Sequence, residues 1–375
     1  MKRVFHAIAT YIKETDKFLW LYCLGLSGLS VLLLYSVYVN GFVNSPRIVI
    51  IQSAAIGLGI VAAIVISKID YRLMASLWKI YVPLTVGLVL LTFTPLGISR
   101  EGADDKAWIS LGIVDLQPSE LLKLAFVFTF AMHLSRVKEH INDMKTFLLL
   151  CVHGAIPTLL IVAQGDFGSA LVFVCIMVFM LFSAGLSWKF IAVGVGAAVV
   201  AAPLVYFFVF QELHRQRLRI LFNPELDPMG MGFQQMQGRT ALGSGQLFGR
   251  GLFSNNLINI PELYNDFIFA YIGQTLGFVG CVAVALVLTL LCVKILMTGR
   301  MSKDPMGCYI CVGIFSILLF QTVINIGMVL SVMPVIGVTL PFLSYGGTSV
   351  VTMYVSIGIV LSVYMNNRRR GMFDD

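Results

Sequence analysis

Long apolar runs separated by short polar segments dominate the pattern of the chain. An α-helix of about 20 apolar residues crosses roughly 30 Å of hydrocarbon, so each run is long enough for one membrane span. The ten runs are residues 18–39, 48–66, 79–97, 117–135, 147–163, 167–184, 188–210, 267–297, 306–332 and 341–365. An even number of spans predicts that both termini lie on the same side of the membrane.

One polar segment, residues 211–266, is much longer than the others and separates the seventh run from the eighth. The pattern therefore predicts an all-α polytopic membrane protein of about ten transmembrane helices. We expect a single transmembrane domain over residues 1–375, with a large extracytoplasmic loop at residues 211–266 between helices 7 and 8.

Composition supports the membrane class. Hydrophobic residues make up 58% of the chain and charged residues 12%, whereas a soluble domain has about 25% charged residues. Most of the 7 cysteines lie inside apolar runs, where cysteine behaves as a small hydrophobic residue. Cys308 and Cys311 have the spacing of a zinc knuckle but lack a second ligand pair, so we expect no zinc site. The first run is too long for a cleaved signal peptide and is expected to remain as a helix.

Lysine and arginine predict the orientation. With both termini in the cytoplasm, 17 of the 26 basic residues face inward, as the positive-inside rule requires. Five basic residues lie in the 211–266 segment, and long loops are exempt from the rule. Their positive charge on the outer face suits an anionic ligand.

Two groups of charged residues stand at the predicted outer ends of helices. Glu120 and Lys123 are three residues apart and so share a helix face; they form either a structural ion pair or the polar wall of a substrate cavity. Asp166 follows the fifth run and either caps the sixth helix or takes part in chemistry.

The outer segment contains several arginines. Arg215, Arg217 and Arg219 form either a solvated face or a site for phosphate oxygens, which the guanidinium group binds well. Arg239 precedes the glycines at positions 243, 245, 249 and 251, and Arg250 stands between the last two of them. Because glycines let main-chain amides approach an anion closely, this run is compatible with a phosphate or pyrophosphate cradle.

A carboxylate, Asp266, stands where this segment meets the eighth apolar run, shortly after Glu262. It either caps the helix or, partly desolvated at the membrane boundary, acts as a general base. Near the carboxyl end, a run rich in proline and glycine predicts irregular backbone that lines a cavity, with Asn325 and Ser344 as lining residues.

These motifs together resemble one family. They are, in order, Trp108 followed by Gln117-Pro118-Ser119-Glu120, then Asp166-Phe167-Gly168-Ser169-Ala170, the glycine-rich run, Pro261-Glu262 with Asp266-Phe267-Ile268-Phe269, and Leu340-Pro341-Phe342-Leu343-Ser344-Tyr345-Gly346-Gly347. The chain is similar over its whole length to the SEDS (shape, elongation, division, sporulation) family of bacterial cell-wall proteins, and most similar to its RodA branch.

The resemblance implies a ten-helix peptidoglycan glycosyltransferase of the bacterial cytoplasmic membrane that polymerises lipid II. The family's essential loop aspartate maps onto Asp266, as the base for the acceptor sugar's 4-hydroxyl or as the ligand of a divalent cation, Mg²⁺ or Mn²⁺. The residues expected to bind the substrate are Arg215, Arg217, Arg239, Arg250, Trp108, Glu120, Lys123, Asp166, Glu262 and Ser344. The implied partners are a class B penicillin-binding protein and the elongation or division machinery; nucleic acid is not expected.

The sequence departs from the family pattern at two places. Gln274 and Thr275 follow Gly273 where members often carry acids, so either those acids are dispensable or metal binding is arranged differently. Ala107 precedes Trp108 where an arginine is common. The alternatives are a lipid II flippase or other transporter, a scaffold for the penicillin-binding protein, and the division-type (FtsW) or sporulation-type (SpoVE) branch.

Overall fold

The computed structural model describes residues 10–99, 105–112, 115–227 and 230–371. The helices are α1 Lys17–Val39, α2 Arg47–Lys68, α3 Tyr71–Ser76, α4 Trp78–Leu91, α5 Pro118–Arg136, α6 Met144–Ala163, α7 Phe167–Ser183, α8 Trp188–Leu204, α9 Glu212–Phe222, α10 Met231–Ser244, α11 Ile268–Arg300, α12 Pro305–Val329 and α13 Gly347–Gly371. Short 3-10 turns cover Lys138–His140 and Pro224–Leu226, and a π-helical turn at Val205–Val209 extends α8.

The helices confirm an all-α, multi-pass membrane protein. Seven helices of the described residues are long and apolar enough to cross a membrane. The other three predicted spans correspond to α4 and α7, which are shorter, and to α5, which carries Glu120 and Lys123.

Two of the predicted spans have the wrong bounds. The third ends at Leu91 rather than near residue 97, because the chain turns there into a short strand. The tenth begins at Gly347 rather than near residue 341. Residues 341–346 are irregular and, apart from the half-buried Tyr345, buried, with Phe342 at φ +63°.

Aspartates fix the starts of several helices. Asp16 accepts hydrogen bonds from the amides of Phe18 and Leu19 at the start of α1, and Asp304 accepts one from Met306 at the start of α12. A side-chain acceptor at this position satisfies amides that have no partner inside the helix. Asp304 also pairs with Arg72 at 2.8 Å and so joins α12 to α3.

Small residues bring α2 and α13 into close contact. A Cβ added to Gly59 would lie 2.8 Å from the Tyr354 ring, and one added to Gly358 would lie 2.8 Å from the Cα of Ala63. Such approach of backbones is the usual way in which membrane helices pack without a hydrophobic driving force. α8 differs from the others, since none of the residues in its apolar window whose burial the structure describes is buried.

α11 is interrupted at Gly277, which has φ +70°. A Cβ added to Gly273 would lie 3.3 Å from the Cys281 sulfur, although eight residues of straight helix span about 12 Å. The chain therefore folds back at Gly277. The expectation of one continuous eighth span was wrong in this respect.

The break in α11 is closed by main-chain bonds from residues 246–251. The bonds run from Arg250 N to Gln274 O (2.9 Å), Gly251 N to Thr275 O (3.0 Å), Phe278 N to Gln246 O (2.8 Å) and Val279 N to Leu247 O (3.1 Å). They satisfy polar groups that the interrupted helix leaves without an internal partner, a requirement that is strict near hydrocarbon. We call this pairing the α11 clamp.

The polar segments before α5 and between α8 and α11 also contain regular structure. Residues 211–266 include the helices α9 and α10. Before α5, a three-stranded antiparallel sheet is formed by β1 (Gly97–Ile98), β2 (Trp108–Ser110) and β3 (Asp115–Leu116). This sheet was not predicted from the sequence.

Candidate functional site

The loop from Leu252 to Asp266 is held mainly through its own main-chain carbonyls. Four of the donors lie on or next to α1, α10, α12 and the irregular segment before α13. They are Asn40 Nδ2 to Leu252 O (2.7 Å), Gln234 Nε2 to Pro261 O (3.1 Å), Tyr345 N to Tyr264 O (2.8 Å) and Asn325 Nδ2 to Asp266 O (2.8 Å). The Ser36 hydroxyl also donates to Leu252 O. The course of the loop is thus fixed from several sides.

Asp266 is half-buried at the end of this loop, directly before α11. The Asn325 amide donates to both Asp266 O and Val338 O at 2.8 Å, which joins the loop to the irregular segment before α13. A Cβ added to Gly337 would lie 3.5 Å from Asp266 Oδ2. The carboxylate therefore lies against Gly337, where φ is +68° and a side chain would be strained.

A small polar cavity also borders Gly337. Its lining includes Gln117, Glu120 and Lys123 from the start of α5, Ser169 from α7, Gln321 from α12 and residues 337–339. We call this cavity the Glu120 cavity. Gly337 therefore contacts both Asp266 and the Glu120 cavity.

The buried ion pair lines this cavity. Lys123 Nζ lies 2.7 Å from Glu120 Oε1, and the two side chains are 2% and 4% exposed. Gln321 Nε2 donates to the same carboxylate oxygen at 3.4 Å, while Glu120 Oε2 has no hydrogen-bond partner among the described residues. Glu120 and Lys123 therefore form the predicted ion pair and line a polar cavity, and a role of this cavity in binding substrate stays a prediction.

Asp166 is an N-cap, and it also belongs to this neighbourhood. Its Oδ1 accepts a hydrogen bond from Ser169 N at 2.8 Å, and its Oδ2 accepts one from Gln117 Nε2 at 3.3 Å. Both of these partners line the Glu120 cavity. The structure thus brings together three of the predicted groups: the ion pair, Asp166 and, across Gly337, Asp266.

Trp108 and Ser344 have structural contacts. Trp108 lies in β2 and is 8% exposed. The Ser344 hydroxyl accepts a hydrogen bond from Leu340 N at 2.8 Å, and its carbonyl accepts one from Gln52 Nε2 at 3.1 Å. Ser344 closes a turn, and it is not among the lining residues of the Glu120 cavity.

The arginines of α9 do not form one cluster for an anion. Arg215 donates to the carbonyls of Tyr206 (3.0 Å) and Phe207 (2.7 Å) at the end of α8. Arg219 pairs with Glu212 at 2.9 Å, and Arg217 is half-buried on the same helix. The Arg215 guanidinium is thus used to satisfy a helix end, and its prediction as a phosphate ligand is not supported.

The remaining predicted residues of the 211–266 segment differ in their exposure and in their hydrogen-bond partners. Arg250 donates to the carbonyls of Ser244 (3.1 Å) and Asn256 (2.5 Å) and stabilises its own loop. Arg239 is exposed on α10 at the edge of a pocket next to Phe269, and it has no ion pair with another described residue. Glu262 has φ +56° and accepts a hydrogen bond from the Asn265 side chain.

Two glycines of the glycine-rich run, Gly245 and Gly249, approach protein backbone, which does not support the prediction of a phosphate cradle. A Cβ on Gly245 would collide with the carbonyl of Gly273, and one on Gly249 with that of Thr275. Glycine is needed at these positions because the loop and α11 meet main chain to main chain in the α11 clamp.

The chemistry of a metal site can be tested against these side chains. Within the described parts of the chain, no three His, Cys, Asp or Glu side chains form a group that could hold a metal ion. Mg²⁺ is commonly bound through one or two carboxylates with water and substrate phosphates as the other ligands. Asp266 fits that arrangement, but a cage made only of protein ligands is not present among the described residues.

Two polar residues of the site were not predicted to belong to it: Gln321 has no place in the sequence analysis, and Gln274 was named only as a departure from the family pattern. Gln321 lines the Glu120 cavity, and Gln274 is fully buried at the start of α11. The signal for Gln321 was its position four residues before Asn325 in an apolar run, which places both amides on one helix face.

The fold and this site define a multi-pass membrane protein with carboxylates gathered at one end of its helix bundle. The chain belongs to the FtsW/RodA/SpoVE family of cell cycle proteins, whose family model matches residues 16–369.

Curated relatives and solved structures agree with this membership. The chain is 33% identical to "Peptidoglycan glycosyltransferase MrdB" of Escherichia coli K12 over 84% of each protein. It is 35% identical to "Probable peptidoglycan glycosyltransferase FtsW" of Geobacter metallireducens over 82% of each.

Among solved structures, a chain of a peptidoglycan synthase complex that coordinates polymerization and crosslinking superposes with a TM-score of 0.79 at 26% identity, covering 94% of this chain and 98% of that one. The rod shape determining protein RodA of Thermus thermophilus superposes with a TM-score of 0.67 at 25% identity, covering 94% and 97%.

Proposed function

We propose that this protein is a peptidoglycan glycosyltransferase that polymerises lipid II, an undecaprenyl-pyrophosphoryl disaccharide-pentapeptide, into glycan strands. The observation that carries the proposal is the half-buried Asp266, held by Asn325 against Gly337 beside the Glu120 cavity. The names of the relatives, as peptidoglycan glycosyltransferases, support the same reaction.

In the proposed reaction Asp266 is the general base. It accepts the proton of the acceptor sugar's 4-hydroxyl while the 4-oxygen attacks the donor's anomeric carbon, and undecaprenyl pyrophosphate leaves with the bonding electrons. General-base catalysis contributes typically about 10²–10⁴-fold to a rate.

The leaving pyrophosphate requires positive charge. Arg239 has the exposure to supply it, and Lys123 lies at the Glu120 cavity. A divalent cation, Mg²⁺ or Mn²⁺, bound by Asp266 would neutralise charge on the pyrophosphate oxygens. With Arg215 and Arg250 engaged by carbonyls, Arg239 is the arginine that we assign to this role.

We place the protein in the bacterial cytoplasmic membrane with both termini in the cytoplasm and Asp266 on the outer side. The distribution of lysine and arginine supports this orientation. Asn325, which holds Asp266, lies 20 residues after Pro305 along α12, or about 30 Å at 1.5 Å per residue. That distance is the thickness of the hydrocarbon core, so Asp266 stands at the membrane face opposite to the turn before α12.

The proposed partner is a class B penicillin-binding protein that cross-links the glycan. The similarity to a chain of a peptidoglycan synthase complex supports such a partner. We assign the protein to cell-wall elongation on the sequence features that resemble the RodA branch.

The test is polymerisation of labelled lipid II by the purified protein with its penicillin-binding partner, in Mg²⁺ or Mn²⁺ and in the presence of moenomycin to block contaminating polymerases. Asp266→Asn is compared with Glu225→Gln, which removes an exposed carboxylate of the same outer segment. We expect polymer from the wild type and Glu225→Gln, and none from partner-bound Asp266→Asn.

Two other outcomes of this assay would contradict the proposal. Polymer from Asp266→Asn at the wild-type rate would remove Asp266 from the mechanism. Absence of polymer from the wild type, with lipid II binding retained, would instead favour transport. The intramembrane pair of Glu120 and Lys123 is the observation that keeps this alternative, because buried charges in membrane helices mark translocation paths as well as active sites.

A further inference from the structure

Gln274 is a fully buried amide eight residues after Asp266, on the first, short part of α11. Its Oε1 accepts a hydrogen bond from Ile258 N at 2.7 Å, and its Nε2 donates to Ile258 O at 3.3 Å. One side chain thus satisfies both main-chain groups of a residue in the loop. The bond to the amide is the shorter and therefore the stronger of the two.

These bonds close a ring of residues 258–274 in which Asp266 is the midpoint. The α11 clamp lies directly beside this ring, since Arg250 N donates to the carbonyl of Gln274 itself. The start of the loop and Ile258 in its middle are therefore attached to the same turn of α11, while Asp266 directly precedes the first turn of that helix. Displacement of the turn that carries Gln274 would therefore move the loop on the amino-terminal side of Asp266.

We infer that Gln274 is a positioning residue for Asp266, and that position 274 acts as a hydrogen-bond acceptor for the Ile258 amide rather than as a metal ligand. Its amide oxygen is already engaged by Ile258 N. A glutamate here would keep the bond from Ile258 N, and in its neutral form it would also donate to Ile258 O, since a protonated carboxyl group carries one O–H donor beside its acceptor oxygen. An amide and an acid at this position can consequently perform the same task. The inference rests on the proposed glycosyltransferase function.

The test uses three variants of the full protein bound to its penicillin-binding partner. Gln274→Leu removes both bonds at similar volume, Gln274→Glu keeps the acceptor, and Gln237→Leu is the matched control on a half-buried glutamine of α10. Because displacement of a catalytic group by about 1 Å can cost roughly 100-fold in rate, we expect kcat of Gln274→Leu to fall about 10- to 100-fold. KM for lipid II stays within about twofold, since Gln274 is not proposed to touch substrate, and Gln274→Glu retains most of kcat.

Hydrogen exchange separates this inference from the proposed function. In the wild type the Ile258 amide should be protected, and in Gln274→Leu exchange should rise over residues 252–266 while residues 278–300 stay unchanged. A wild type that makes no polymer would refute the function and leave this measurement valid. An unprotected Ile258 amide in the wild type overturns the inference, even if Gln274→Leu fails to fold. Wild-type kcat in Gln274→Leu, or loss of activity in Gln274→Glu equal to that in Gln274→Leu, also overturns it.

Discussion

Replacing Lys123 by methionine should destabilise the protein by about 3–5 kcal/mol, the usual cost of removing one partner from a buried ion pair. At 2.7 Å the Coulomb attraction is about 6 kcal/mol for an effective dielectric constant of about 20. Desolvation costs several kcal/mol for each ion and offsets most of this attraction. The pair itself contributes little net stability, but Glu120 without Lys123 keeps its desolvation cost and only the long bond from Gln321 at 3.4 Å.

The double variant Glu120→Gln/Lys123→Met tests this reasoning, because it removes both charges at similar volume. We expect it to recover most of the stability that Lys123→Met loses, as measured by thermal unfolding in detergent. If the single and double variants were equally unstable, the charge argument would be wrong and packing around α5 would explain the loss. A polymerisation assay of the stable double variant then distinguishes a structural role of the two charges from a role in the reaction. Restored stability without activity would assign Glu120 and Lys123 to the reaction.

Three further predictions concern the surroundings of the site. Gly277→Ala places a side chain on a residue with φ +70° and into the α11 clamp. The resulting strain of about 1–3 kcal/mol should raise hydrogen exchange in the first turns of α11. Unchanged exchange would contradict the proposed role of the clamp. Burial alone would raise the pKa of Asp304, but hydrogen bonds from Arg72 and Tyr71 hold that pKa below its ordinary value. The ionised Asp304 therefore stabilises the fold above the ordinary carboxyl pKa, and this stabilisation is lost as the pH falls through the lowered pKa. The stability of Asp304→Asn should lack this loss at acid pH. Identical acid-unfolding profiles of the variant and the wild type would argue against a stabilising role of Asp304. Asn325→Leu removes both donors to Asp266 O and Val338 O and should lower kcat by about 100-fold, whereas a change confined to KM would assign Asn325 to substrate binding.

Most of the membrane fold could be predicted because apolar runs of sufficient length have few alternatives to a spanning helix. Asp266 and the pair of Glu120 and Lys123 were identifiable for the opposite reason, since charge beside or within an apolar run is costly and therefore informative. The break at Gly277 gave no such signal. No charged residue stands near it in the apolar run, and the loop that stabilises it is about 30 residues earlier in the chain.

The glycine-rich run shows why chemistry inferred from composition can be misassigned. Glycine permits the close approach of a phosphate and of another backbone equally well, and the sequence does not distinguish the two. Gly249 approaches the carbonyl of Thr275, a partner that becomes apparent only once α11 folds back. Gln274 was read only as a departure from the family, because its partner is the main chain of Ile258 and leaves no side-chain pattern.

Because the Asp266 loop is attached through its main-chain carbonyls, its amino-acid sequence and its length should tolerate change to different degrees. Donors reach the backbone at Leu252, Pro261, Tyr264 and Asp266, and every residue type offers the same carbonyl. Substitutions over residues 253–257 should therefore be tolerated widely in a library selected for growth. Deleting or inserting one residue there should be lethal, because it moves the later carbonyls out of register with their donors. Selection would therefore preserve the number of residues between these carbonyls rather than the identity of the amino acids.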